Sequence, residues 1–175
     1  MTELLNVLPL MRHPLLLPDI TWEYEDSLLD WKQLHPSFRY DIAYHYGHPA
    51  IKPWENREPA VQSVVQEWKA VTGDIQTFFK DRNSEAALPN MVKGLQLYTM
   101  LLFWGNGKPV VLQDLFAALN ELSIKPANIK DRLSFIMEKP TLFHSYIQLG
   151  ELFNESEKQL MKDIVVAKIK SQRKI

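Results

Sequence analysis

Beyond Pro59, apolar side chains recur every three or four residues along most of the chain, the spacing of helices with one buried face. Val61, Val64, Val65, Trp68, Val71, Ile75, Phe78 and Phe79 fall on one stripe, which predicts a helix opening at Pro59 and running to about Arg82. A second helix is predicted from Ser84 through Ala87, Leu88, Met91, Val92, Leu95, Tyr98, Leu102 and Trp104. Its C-terminal half is apolar nearly all round, as in the central helix of a bundle. Gly105-Asn106-Gly107-Lys108-Pro109 stops it, because glycine accepts a left-handed cap and proline blocks continuation. Leu115, Phe116, Leu119 and Leu122 mark a third helix over about Gln113 to Leu122. Asn128 caps a short fourth through Leu133 and Ile136. After Pro140, Leu142, Tyr146, Leu149 and Phe153 mark a fifth, and Asn154-Glu155-Ser156-Glu157 opens a sixth carrying Leu160, Ile164 and Ala167. No strand pair and no internal repeat is legible; Pro109-Val110-Val111-Leu112 alone has some strand character.

The first part of the chain reads differently. Pro9, Pro14, Pro18, Pro36, Pro49, Pro53 and Pro59 each turn the preceding residue away from helix. Yet Leu15, Leu16, Leu17, Trp22, Tyr24, Trp31, Phe38, Tyr40, Tyr44, Tyr46 and Trp54 are more apolar mass than a disordered linker carries. An irregular arm wrapped on the body is expected, with one or two short helices, the best candidate being Asp26 to Leu34, in which Leu28, Trp31 and Leu34 share a face. The fold class is therefore all-α: a compact bundle of about five or six helices with an irregular aromatic N-terminal arm. One domain over 1–175 is expected, with residues 1–58 as arm, 59–170 as bundle and 171–175 as a frayed tail.

Composition adds few constraints. At 175 residues and 46% hydrophobic, the chain can bury a core without metal or disulfide staples. It contains no cysteine, which removes thiolate nucleophiles and cysteine-ligated zinc and fits a reducing compartment. The start, Met1 to Leu10, is apolar, but no basic residue precedes it and Pro9 interrupts it, so it does not read as a signal peptide. The densest apolar run, Leu95 to Trp104, is about half the length a membrane helix needs. A cytoplasmic protein without membrane contact is expected. The net charge of −1 is not that of a dedicated nucleic-acid binder, although the C-terminal end is locally basic.

No residue set completes a catalytic constellation, and no cofactor is implied. Tyr44-His45-Tyr46-Gly47-His48-Pro49, with His35 upstream, is the densest chemical cluster. Imidazoles are metal ligands, but Gly47 and Pro49 oppose the helix that would align His45 with His48, and aromatic packing explains the segment more simply. The two glycines and the lysine of 105–108 follow a helix instead of preceding one, so the phosphate-loop pattern is not met. His144 and Ser145 are adjacent, point about 100° apart on a helix and lack a third orienting group. Asp74, Asp81 and Glu85 are dispersed on a polar helix face. Lys162, Lys168, Lys170, Arg173 and Lys174 form a basic end opposed by Asp163 alone. Complementing the helix dipole accounts for Lys168 and Lys170, and a phosphate-contacting tail is the alternative. Of the five tryptophans, Trp68 and Trp104 lie on core faces. Trp22, Trp31 and Trp54 in the arm serve either as anchors to the bundle or as partner contacts.

Several runs in the C-terminal half resemble the YpoC-like family, small cytoplasmic proteins of Gram-positive, spore-forming-type bacteria. They are Leu102-Phe103-Trp104-Gly105-Asn106-Gly107-Lys108-Pro109-Val110, Lys125-Pro126-Ala127-Asn128 with Arg132-Leu133, Phe143-His144-Ser145-Tyr146-Ile147-Gln148-Leu149, and Glu151-Leu152-Phe153. The resemblance covers roughly residues 60–170. It implies a helical domain with no assigned activity, and a gene neighbourhood of replication-initiation and base-excision-repair genes that associates it with DNA maintenance. Three functions follow in order: a non-catalytic interaction or adaptor module, a nucleic-acid accessory protein using Lys162, Lys168, Lys170, Arg173 and Lys174, and a metal-assisted enzyme built on His35, His45 and His48.

Overall fold

Two long helices and the one laid across them organise the molecule. In a computed structural model that describes residues 2–19, 21–29 and 33–174, the chain runs in order through β1 (Thr2–Asn6), β2 (Thr21–Glu25), α1 (Arg39–Tyr46), α2 (Arg57–Lys80), α3 (Leu88–Gly105), α4 (Leu115–Asn120), α5 (Ile129–Glu138) and α6 (Phe143–Arg173). The fold is mainly helical, as the periodicity predicts, and six α-helices lie among the described residues. α2 buries Val61, Val64, Val65, Trp68, Val71 and Ile75, the expected stripe. α3 is buried at every position from Gly94 to Gly105 except Gln96, as expected of a central helix.

α2, α3 and α6 approach closely because small residues sit where they cross. A Cβ on Gly94 would lie 2.5 Å from Cζ3 of Trp68 and 3.0 Å from Leu149. A Cβ on Gly105 would lie 2.5 Å from Leu160. Around these contacts the Trp68 ring stacks on Phe153 at 4.5 Å, and Tyr98 meets Phe153 edge-on at 5.2 Å. Tyr98 and Ser156 share a buried hydrogen bond of 2.9 Å. Burial pushes the Tyr98 phenol well above its ordinary range, and the Ser156 bond partly offsets this.

The structure departs from the sequence expectations at several points. The fifth and sixth predicted helices are one, the 31-residue α6. The cap-like run at 154–157 lies inside it, with Ser156 buried against Tyr98 and Glu155 paired with Arg132 at 2.9 Å. The helix also continues through Arg173, into the stretch expected to fray.

The arm contains an antiparallel strand pair, Thr2 opposite Glu25 through Asn6 opposite Thr21. Each strand is only five residues long and 14 residues separate them, too far for a hairpin-turn signal. The arm also contains α1, whose Arg39, Tyr40, Asp41, Ile42 and Ala43 are all buried. Burial on every side over these five residues leaves no amphipathic period to find there. Finally, the helix expected over Asp26 to Leu34 is a single 3-10 turn at Asp26–Leu29. Leu28 and Leu34 are buried as expected, and Trp31 lies outside the described residues.

The arm is bonded to the bundle along its length. Gln96 of α3 accepts from Ser37 at 2.9 Å and donates to the Leu16 carbonyl at 2.7 Å. The Leu10 carbonyl accepts from the Leu112 and Gln113 amides. Buried side chains from Val7 in the arm to Ile164 in α6 belong to one hydrophobic core.

Candidate functional site

The turn that ends α3 is a helix cap. Gly107 adopts φ +73°, the Lys108 amide bonds the Phe103 carbonyl at 2.9 Å and the Gly107 amide bonds Trp104 at 2.9 Å, the two bonds of a Schellman motif. These amides are spent on helix carbonyls and have none left for a phosphate. Asn106 joins the turn to the loop before α5, donating to the Leu102 and Ile124 carbonyls and accepting from the Ile124 amide at 2.9 Å. Arg57 at the start of α2 donates to the Gly105 carbonyl at 2.7 Å and to Asp163 of α6 at 2.6 Å.

Beneath this turn lies Asp41, fully buried. Its Oδ1 accepts from Nε1 of Trp104 at 3.0 Å and from the Val110 amide at 2.6 Å, and its Oδ2 has no partner among the described residues. Burial pushes the Asp41 carboxyl up to about 7, against the pull of the Trp104 and Val110 bonds. One turn later on α1, Nε2 of His45 donates to the Val110 carbonyl at 2.9 Å. Asp41 and His45 thus grip both polar groups of one residue, docking α1 on the end of α3. Nothing local in the sequence marks Asp41, because its partners lie more than 60 residues away.

The three candidate histidines have different partners. His35 meets Glu67 of α2 at 3.1 Å, and Glu67 also pairs with Lys93 at 3.4 Å. Burial and the nearby Lys93 lower the His35 imidazole, opposed by Glu67. His45 holds Val110. His48 stacks on Tyr24 at 4.7 Å. Among the described residues no group of three or more His, Cys, Asp or Glu is placed to hold a metal ion.

Ser145 is buried and donates to the Lys139 carbonyl at 2.5 Å, while His144 is exposed and touches Phe135 edge-on at 5.6 Å. They do not face each other. Asp74, Asp81 and Glu85 are exposed, as on a solvated face. Trp22 and Trp54 are only 8% and 6% exposed, Trp54 packing edge-on against Tyr44 at 5.2 Å. Both indoles are buried in the fold, the placement of an anchor of the arm. Lys162, Lys168, Lys170, Arg173 and Lys174 are exposed along the end of α6, with Lys168 paired to Glu58.

An aromatic groove of about 510 Å³ opens between the end of α2 and the start of α6. Gln76, Phe79, Lys80, Phe143, Tyr146 and Ile147 line it. Phe79 meets Phe143 edge-on at 5.5 Å and Tyr146 at 5.9 Å. Phe143 is 56% exposed, and Leu142 beside it and Ile147 are exposed as well. The sequence reading places Phe79 and Tyr146 on helical stripes. Neither stripe tells that the two meet at an open edge.

Fold and sites together define a helical-bundle protein whose buried polar residues join its own elements and which carries an open apolar groove at the end of α2. The chain belongs to the YpoC-like family, whose model matches residues 58–168. A protein of Bacillus subtilis (strain 168), "Uncharacterized protein YpoC", is 34% identical over 112 residues, covering 63% of this chain and 68% of that protein. No solved structure matches the chain. No helix among the described residues is long and apolar enough to cross a membrane.

Proposed function

We propose that the protein is a cytoplasmic, non-catalytic binding module, an adaptor that holds a partner protein in the groove between α2 and α6. The observation that carries this reading is the aromatic edge of the groove, where Phe143 and Ile147 stand exposed beside Phe79 and the buried Tyr146. A folded chain gains by burying such side chains, and aromatic anchors dominate interface energetics. Lys80 is the charged residue of the lining, so the occupant is a partner segment with an apolar anchor beside an acidic residue. The cytoplasmic compartment and a link to DNA maintenance are part of the proposal and follow from the family resemblance.

The test is affinity purification of the tagged chain from native lysate, with and without nuclease. A protein that co-purifies despite nuclease, and is lost when Phe143 and Ile147 are replaced by serine, supports the reading. Retention by the serine variant, or loss with nuclease, contradicts it.

A second reading, a nucleic-acid accessory protein, is favoured by the exposure of Lys162, Lys168, Lys170, Arg173 and Lys174. Phosphate binding through them would weaken steeply with salt.

A further inference from the structure

The last three turns of α6 hold apolar and basic side chains away from the body. With about 100° between successive residues, Ile169 lies on the opposite side of the helix from Leu160. Val165 and Val166 flank it, while Leu160 and Ile164 face the core. Val165, Val166 and Ile169 are all exposed. Lys162 stands one turn before Val166 and Arg173 one turn after Ile169, with Lys170 and Lys174 beside them. The acid of this stretch, Asp163, is engaged by Arg57 at 2.6 Å.

Attraction to the helix dipole accounts for Lys170 and Arg173, which sit in the last turn. It does not account for Lys162, nor for three branched aliphatic side chains facing water. Their arrangement, an apolar centre with a basic rim, has the anatomy of a protein interface.

We infer that the outer face of α6, centred on Val165, Val166 and Ile169, is a second docking surface, and that its occupant is an acidic amphipathic helix of a partner protein. Charge complementarity selects this occupant. A second copy of the chain would bring Lys162, Lys170, Arg173 and Lys174 against their own kind. Nucleic acid would use the cations but leave the aliphatic centre unmatched, since phosphates make no apolar contact. The face begins at Val165, about 33 Å from Phe143 along the helix at 1.5 Å per residue. It is therefore independent of the groove, and the two readings fail separately.

The test uses the full chain and a synthetic peptide of about four heptads, with Val at a, Leu at d and Glu at e and g. A matching peptide with Lys at e and g and a DNA duplex of about 20 base pairs serve as controls. Fluorescence anisotropy should show binding to the Glu peptide and not to the Lys peptide. Affinity should fall about tenfold or more between low and high salt, and about tenfold or more when Val165 and Ile169 are both replaced by serine. Both positions are exposed, so that variant should keep the parent's circular dichroism and melting temperature. The Phe143→Ser variant should bind the peptide as the parent does.

Binding unchanged by the two serines would mean charge attraction alone and overturns the inference. So does tighter binding to the duplex than to the Glu peptide, absence of binding to that peptide, or self-association of the chain that the serines abolish.

Discussion

Asp41 shows how much of this fold rests on single polar residues. Its carboxylate is the shared acceptor for Trp104 and Val110, so α1 is fastened to α3 through one oxygen. Its ordinary value is 3.8, and burial raises it to about 7. The folded state therefore binds the extra proton between these values, and the Asp41 contribution to stability falls as pH rises through that window. Asp41→Asn keeps an acceptor oxygen and cannot ionise. Its stability relative to the parent should improve by about 2–3 kcal/mol between pH 5 and pH 8, at ~1.4 kcal/mol per pH unit. Urea unfolding at a series of pH values measures this, and parallel profiles would refute it.

Arg82 caps α2 in the left-handed region at φ +57°, with the Asn83 amide on the Phe78 carbonyl at 2.8 Å, a position where glycine is at ease. Arg82 is exposed, so Arg82→Gly should raise stability by about 1 kcal/mol and the melting temperature by about 2–4 °C. An unchanged or lower melting temperature would count against a strained cap.

At the scale of elements, legibility in the sequence followed exposure. α2 has one wet and one dry face, and its stripe from Val61 to Ile75 is readable as written. α1 has no wet face over Arg39–Ala43, and its helicity is invisible to periodicity. In sequence α6 resolves into two helices because Asn154 and Ser156 are cap-forming types, whereas in the fold Ser156 bonds Tyr98 instead. Pairing in the arm depends on Thr2–Asn6 finding Thr21–Glu25, a tertiary choice that no local pattern records.

The helix crossing at Gly94 supplies the element-scale prediction. A methyl group there would press on the Trp68 ring, itself stacked on Phe153 with only 4° between the planes. Gly94→Ala should lower stability by about 1–3 kcal/mol despite alanine's better helix propensity. A gain in urea unfolding would show that α2 and α3 can separate at no cost.

Across the whole molecule, the arm and bundle share one core, and the polar residues that looked chemical in the sequence join one part to another. His45 holds Val110, His35 meets Glu67 on α2, and Asn106 bonds Ile124. The candidate sites were only partly legible for the same reason: a histidine looks alike in sequence whether it ligates, catalyses or docks a loop. The exposed edge formed by Phe79 and Phe143 joins residues 64 positions apart and becomes visible only when α6 is laid on α2. With the buried groups occupied in the fold, partner binding falls to open surface, and the groove is the proposed site.

The most direct measurement is the mass in solution of the tagged chain purified gently from its own cells, by size-exclusion chromatography with light scattering. The account predicts that the parent elutes as a complex heavier than 20.4 kDa, with the partner near one to one. The variant with serine at 143 and 147 should elute folded and alone. A parent that elutes alone, or a serine variant that keeps the complex, would contradict it.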